Sequence, residues 1–226
     1  SAGYQVAKPF IPFEGRAMIE WVLEQLTPTC PHRMICVAQR HHHTQWSPPS
    51  NLDIEWVWLD HWTDGALSSA LAARSLIDHA SPLIIANCDQ WLPSGIDPFI
   101  DQINQQPDTH MIMSMLAHED KWSYIQFDRH NQIIDVVEKE VVSPYATVGI
   151  YHFSSGHIFL QGADAMIAAN RRSKGEFYVA PIYGVLIEQG QRVAHWCQGR
   201  LNQDVFGLGT PQDLEMFIQT MRYQEA

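Results

Sequence analysis

Positive charge is scarce in this chain. Fourteen lysines and arginines stand against 25 aspartates and glutamates, giving a net charge of −11 with histidine neutral. No basic stripe offsets that balance, which argues against a general phosphate-backbone binder and so against a nucleic-acid partner. A small anionic substrate needs only local cations and stays compatible. Cysteine is sparse too: Cys30, Cys36, Cys88 and Cys197 are scattered and none has CxxC spacing. Cys36 and Cys88 fall in expected strands, so the reading is reduced core thiols in a cytoplasmic protein. No apolar run approaches the ~18 residues of a membrane span, and no signal peptide is visible. There is no internal repeat, low-complexity tract or linker, so a single domain over residues 1–226 is expected. What is present is 46% apolar and 17% charged residues, which excludes a disordered chain, and length enough to bury a core.

The stretch Pro82-Leu83-Ile84-Ile85-Ala86-Asn87-Cys88-Asp89 organises the rest. An apolar run bounded by proline and a polar cluster reads as a strand buried on both faces. Asp89 then falls just past its carboxyl end, where open α/β sheets bind ligands. A carboxylate there suits a hard cation such as Mg²⁺; it equally suits the cap of a turn or helix, and both readings stay open. Residues 1–12 read as a loop with Pro9 and Pro12, and Phe13 to Arg16 as a turn into a helix whose apolar face is Met18, Trp21, Val22 and Leu26. Strands are expected at Met34–Ala38 and Ile54–Leu59, and loops at His41-His42-His43 and at Ser47-Pro48-Pro49-Ser50. Three adjacent histidines rarely share one face, so no metal is assigned to them. Trp56 and Trp58 share a strand face and are read as core packing.

Helices are expected over Ala66–Asp78, Asp97–Gln105, Gly156–Asn170 and Phe177–Glu188. Strand and helix alternate early, pointing to a parallel α/β sheet. Later, Met111–Ala117 reads as a strand, and Trp122–Phe127 and Ile133–Val137 are joined by a hairpin-like connection at Asp128-Arg129-His130-Asn131, which suggests added antiparallel strands. Thr147–Phe153 is a strand with Gly149 inside it, a position that often marks close approach of backbone or ligand. Arg192–Cys197 is the last expected strand. Thr210 then caps a final helix with Pro211 at its first turn.

Four segments, in this order, resemble the sugar-1-phosphate nucleotidyltransferases, or nucleotide-sugar pyrophosphorylases, of the bacterial capsule and surface-polysaccharide type: Lys8-Pro9-Phe10-Ile11-Pro12, Asn87-Cys88-Asp89, Val137-Glu138-Lys139-Glu140, and Gly207-Leu208-Gly209-Thr210-Pro211-Gln212-Asp213-Leu214. Trp122-Ser123-Tyr124, Ala146 to Tyr151 and Gly175-Glu176-Phe177-Tyr178 support it. The resemblance implies a Rossmann-like fold of glycosyltransferase-A type, with a mixed, mostly parallel sheet flanked by helices. It implies transfer of a nucleotidyl group from an NTP to a phosphorylated sugar, with Mg²⁺ as cofactor. By the same resemblance Lys8 contacts phosphates, Asp89 binds the metal, Lys139 holds the sugar phosphate and Glu138 its hydroxyls. Gln39, Gly65, Ala66 and Asn87 fall at nucleotide-binding positions, and Ser123 and Gly149 at backbone contacts to the sugar. A homo-oligomer is a family expectation.

Two departures stand out. The family's first strand and glycine-rich loop are expected ahead of Ser1. The family's second metal aspartate falls at Gly207, leaving Asp204 as a substitute. Two rival readings go with these departures: a same-fold glycosyltransferase, and a non-catalytic nucleotide- or sugar-binding domain.

Overall fold

The computed structural model describes residues 6–46 and 53–224; the expected loop Ser47 to Ser50 lies outside the described residues. In chain order the elements are β1 (Pro12–Phe13), β2 (Arg16–Ala17), α1 (Met18–Leu26), β3 (Met34–Gln39), β4 (Ile54–Leu59), α2 (Ala66–Leu71), β5 (Leu83–Ala86), β6 (Gln90–Trp91) and α3 (Asp97–Gln105). There follow β7 (His110–Leu116), β8 (Ser123–Phe127), β9 (Ile133–Glu138), β10 (Tyr145–Phe153), α4 (Gly156–Ala168), α5 (Ile182–Glu188), β11 (Val193–Arg200), β12 (Phe206–Gly207) and α6 (Pro211–Gln224). This is the expected mixed α/β class. No helix among the described residues is long and apolar enough to cross a membrane. The chain falls into two compact units: one of residues 1–60, 87–98 and 199–226, the other of 61–86 and 99–198.

In the first unit, Glu14 and Gly15 (φ 46° and 75°) turn β1 back onto β2. Consecutive left-handed residues make the tight hairpin turn, where the sequence suggested only a lead into a helix. α1 then starts with the Glu20 carboxylate accepting from the Ala17 amide, and buries Met18, Val22 and Leu23. Its apolar face meets Phe13, Phe206, Leu208, Leu214 and Phe217 in one cluster. β3 and β4 pair in parallel, residue for residue, from Met34↔Ile54 to Gln39↔Leu59. Trp56 and Trp58, two apart on one face of β4, stack with ring centroids 5.0 Å apart. The three histidines form a short 3₁₀ turn, Arg40–Thr44, with His42 against Phe10 and His43 against Trp58.

The second unit is built on β10. Its first half pairs β8 (Ala146↔Tyr124) and its second half pairs β5 (Ile150↔Ala86 to Phe153↔Leu83), both antiparallel. Against β7 its register shifts between Thr147 and Tyr151. Gly149, with φ 87°, sits in that interval. A bulge there bends the strand and re-aims it, and a glycine takes the positive φ at no steric cost. β8 and β9 form a hairpin with Ser123 opposite Glu138. The core under this sheet takes Phe153, Phe159, Tyr183 and Ile182.

Three readings need correction. β5 is half-buried rather than sheathed on both faces. Cys88 lies beyond β5 in an exposed turn, not in a strand. Phe177 to Pro181 is not helical, and α5 begins only at Ile182. The reason is that Phe177 spends its backbone elsewhere: its N–H donates to Asp64 O at 2.8 Å and its carbonyl accepts from the Leu67 N–H at 3.0 Å.

Candidate active site

The residues singled out from sequence fall into two groups, one in each unit. In the first, Pro9 supports a single 3₁₀ turn, Lys8–Phe10, which presents Lys8. Its ammonium lies 2.6 Å from Asp89 Oδ2. Asp89 is held by its backbone, whose carbonyl accepts from the Leu208 N–H at 2.7 Å, and by Gln90 Nε2, which donates to Oδ1 at 2.8 Å. A methyl group built on Gly209 would stand 3.4 Å from Asp89 Oδ2, 3.6 Å from Lys8 Nζ and 3.9 Å from Asp213 Oδ2. Lys8, Asp89 and Asp213 therefore surround one small space that a glycine leaves open.

Asp213 is tied to the start of α6. Thr210 donates to its Oδ2 from N–H and Oγ at 3.1 and 2.7 Å, and the Asp213 N–H donates to Thr210 Oγ at 3.2 Å. That reciprocal pairing is a capping box. Asp204 is used otherwise: its carboxylate accepts from the Arg200 N–H at 2.9 Å and packs on Gly199. Gln39 is buried at the end of β3, and Asn87 is exposed just after β5. Among the described residues no three His, Cys, Asp or Glu converge as metal ligands. A hard cation on Asp89 would therefore take the rest of its oxygens from phosphates and water, as Mg²⁺ commonly does. The Lys8–Asp89 pair is partly exposed, at 40% and 27% for the two side chains. Pairs of that kind are worth about 1 kcal/mol or less, so this one opens readily for such a ligand.

The second group is anchored by the β8–β9 hairpin. Ser123 Oγ donates to Glu138 Oε2 across it, which fixes a carboxylate whose side chain is only 5% exposed. Lys139 follows with φ 58°, a left-handed conformation that costs a residue with a Cβ roughly 1–2 kcal/mol. Its N–H donates to Trp122 O at 3.0 Å. Lys139 Nζ reaches Tyr178 Oη at 3.0 Å, and Glu138 Oε1 is 3.8 Å away. The Tyr178 hydrogen bond holds the ammonium's pKa above its ordinary value, against an opposing effect of burial, with Glu138 and Glu176 adding to the rise.

Gly65 and Ala66 open α2, with Gly65 at φ 108° packed against the Phe177 backbone. Phe177 in turn precedes Tyr178, so this turn and Lys139 share one support. Tyr178 and Asp213, which the fold brings beside Lys139 and Gly209, were not singled out from sequence. Both lay inside motifs already noticed, Gly175 to Tyr178 and Gly207 to Leu214, and only the folded contacts give them partners.

No curated protein sequence matches the chain. It is similar in structure to a nucleoside-diphosphate-sugar pyrophosphorylase from Vibrio cholerae RC9, with a TM-score of 0.77 and 20% identity over 96% of this chain and 93% of that one. It is also similar to a protein assigned as a glucose-1-phosphate thymidylyltransferase from Bacillus anthracis, solved with sucrose, with a TM-score of 0.71 and 14% identity over 95% and 86%. At these identities the likeness carries the fold alone. Residues 2–134 match the MobA-like NTP transferase domain, and since that match covers more than half of the sequence, the chain belongs to the MobA-like NTP transferase family.

Proposed function

We propose that this protein, as one nucleotidyltransferase domain, moves a nucleotidyl group from an NTP onto a sugar 1-phosphate or a similar phosphorylated metabolite. A phosphate oxygen of the acceptor attacks the α-phosphorus, the bond to the β-phosphate breaks, and pyrophosphate leaves. Supply of nucleotide sugars for surface polysaccharide is the role that fits this product. The observation that carries the reading is the Ser123–Glu138–Lys139 group: a solvent-accessible ammonium beside a fixed, nearly buried carboxylate. An ammonium matches a phosphate, and a rigid carboxylate matches sugar hydroxyls.

Both reactants are anions, so the protein's task is to hold them together and screen their repulsion. Positioning alone is worth ~7–11 kcal/mol in good cases. Each well-aimed charge group adds ~3–4 kcal/mol. Lys8 and Lys139 supply such charge. Asp89, at the open space beside Gly209, offers a carboxylate that suits Mg²⁺. When bound there, the ion would neutralise charge developing on the phosphates. The test is a pyrophosphate-release screen of the full-length protein, four NTPs against a panel of phosphorylated metabolites, with and without Mg²⁺. Pyrophosphate release that requires both substrates is the expected result. Nucleotide binding without turnover, or sugar transfer without pyrophosphate, would replace this reading.

A further inference from the structure

The Lys139 ammonium carries three N–H donors. One is given to Tyr178 Oη at 3.0 Å, and Glu138 Oε1, at 3.8 Å, is beyond hydrogen-bond reach of the others. Two donors are therefore left over, on a side chain that is 31% exposed. Tyr178 is in the complementary position. Its oxygen accepts from Lys139, and among the described residues its own O–H proton is given to no acceptor. A lysine donating to a tyrosine leaves N–H donors on one group and an O–H donor on the other, with their heavy atoms 3.0 Å apart.

The tyrosine is not placed by accident of a loose loop. The residue before it, Phe177, is buried, and both of its backbone polar groups are taken by the Asp64–Leu67 turn. Arg172 lies over its ring at 4.0 Å. Lys139 is fixed from the other side by its backbone bond to Trp122 and its left-handed conformation. Donors held this firmly lose little freedom on binding a ligand, which is what makes a site selective.

We infer that Tyr178 and Lys139 form a two-donor clamp for one oxyanion of the phosphorylated acceptor, with the phenol both orienting the ammonium and donating its own proton to the phosphate. The inference rests on the acceptor-binding role proposed for Lys139, and adds a residue to it. The chemistry of the clamp is general to phosphate monoesters. A neutral sugar offers it no anionic oxygen.

The chain has four lysines: Lys8, Lys121, Lys139 and Lys174. Full-length protein carrying ¹³C at lysine Cε therefore gives four side-chain signals, and loss of one in Lys139→Gln assigns the relevant signal. Inorganic phosphate and glucose 1-phosphate are titrated in, with glucose as the neutral control. The Lys139 signal is expected to move with both phosphates and not with glucose. In Tyr178→Phe, which keeps the ring and hence the packing, the apparent affinity for glucose 1-phosphate falls about tenfold, the size of losing one hydrogen bond to a charged group. In the same variant Lys139 deprotonates at lower pH than in the parent protein, an effect that mere loss of packing would not produce. Equal affinity and an unmoved titration in Tyr178→Phe overturn the clamp while leaving Lys139 as a phosphate ligand. A Lys139 signal indifferent to both phosphates in the parent protein overturns the clamp and the Lys139 assignment together.

Discussion

A Cβ atom on Gly65 would lie 2.5 Å from the carbonyl oxygen of Phe177 and 2.9 Å from its nitrogen. Neither is a flexible side-chain end, so neither can move aside cheaply. Gly65 also sits at φ 108°, which L side chains rarely adopt. Gly65→Ala should therefore cost roughly 2–4 kcal/mol, from strain and from broken backbone bonds at Phe177. Urea unfolding should show a lower midpoint with an unchanged slope. An unchanged midpoint would mean that the turn does not hold Phe177 as described.

Lys139→Ala separates function from stability. The side chain is partly exposed, and its removal leaves no buried void. Melting temperature should change by no more than about 2 °C, a shift of about 1 kcal/mol or less for a chain of this size. Pyrophosphate release should fall by roughly 10²–10³, the usual loss when a charge aimed at a reacting phosphate is removed. Near-normal turnover would take Lys139 out of the site.

How much of this was legible in advance depends on the range of the interactions. Local signals were read well. The α1 face of Met18 and Val22, the β8–β9 hairpin and the Thr210–Pro211 start of α6 each follow from residues within one or two turns of one another. The Glu138–Lys139 part of the candidate site was also legible, since the two are neighbours in sequence. Helical periodicity misled at Phe177 to Pro181, because a contact more than a hundred residues away, with Asp64 and Leu67, claims the backbone. The same range hides Tyr178 from Lys139, 39 residues apart, and Lys8 from Asp89, 81 apart. Periodicity has no term for such pairs; only the fold brings them within 3 Å.

Acid sensitivity should come from the second unit's interior. Burial pushes the His152 pKa down to about 4; nearby His110 adds to the fall and the Thr109 backbone opposes it. His110 is itself lowered by burial, with Gln191 opposing. The unfolded chain takes up a proton on His152 near its ordinary pKa of about 6.5, while the folded chain resists down to about 4. Between those values the unfolded state binds more protons, so stability is complete above about pH 6.5 and declines as pH falls towards 4. His152 alone accounts for about 3 kcal/mol of that decline. Urea midpoints between pH 7.5 and 4.5 should therefore slope downward, and His152→Leu should flatten part of the slope. A slope identical in the variant would move the acid sensitivity elsewhere.

The two aspartates considered for a cation should behave differently. Asp89 faces the open space beside Gly209, together with Lys8 and Asp213. Asp204 has its carboxylate on the Arg200 amide and against Gly199, inside its own turn. With Mn²⁺ as a paramagnetic probe in the presence of NTP, Asp89→Asn should weaken binding by tenfold or more, since a neutral amide is a poorer ligand for a hard dication. Asp204→Asn should leave Mn²⁺ affinity within about twofold, its cost appearing as a small loss of stability from the weakened turn bond. Equal losses for both variants would mean that the Arg200 turn opens to bring Asp204 onto the ion. No loss for Asp89→Asn would show that the Lys8–Asp89 pair is structural, with the phosphates neutralised by lysine alone.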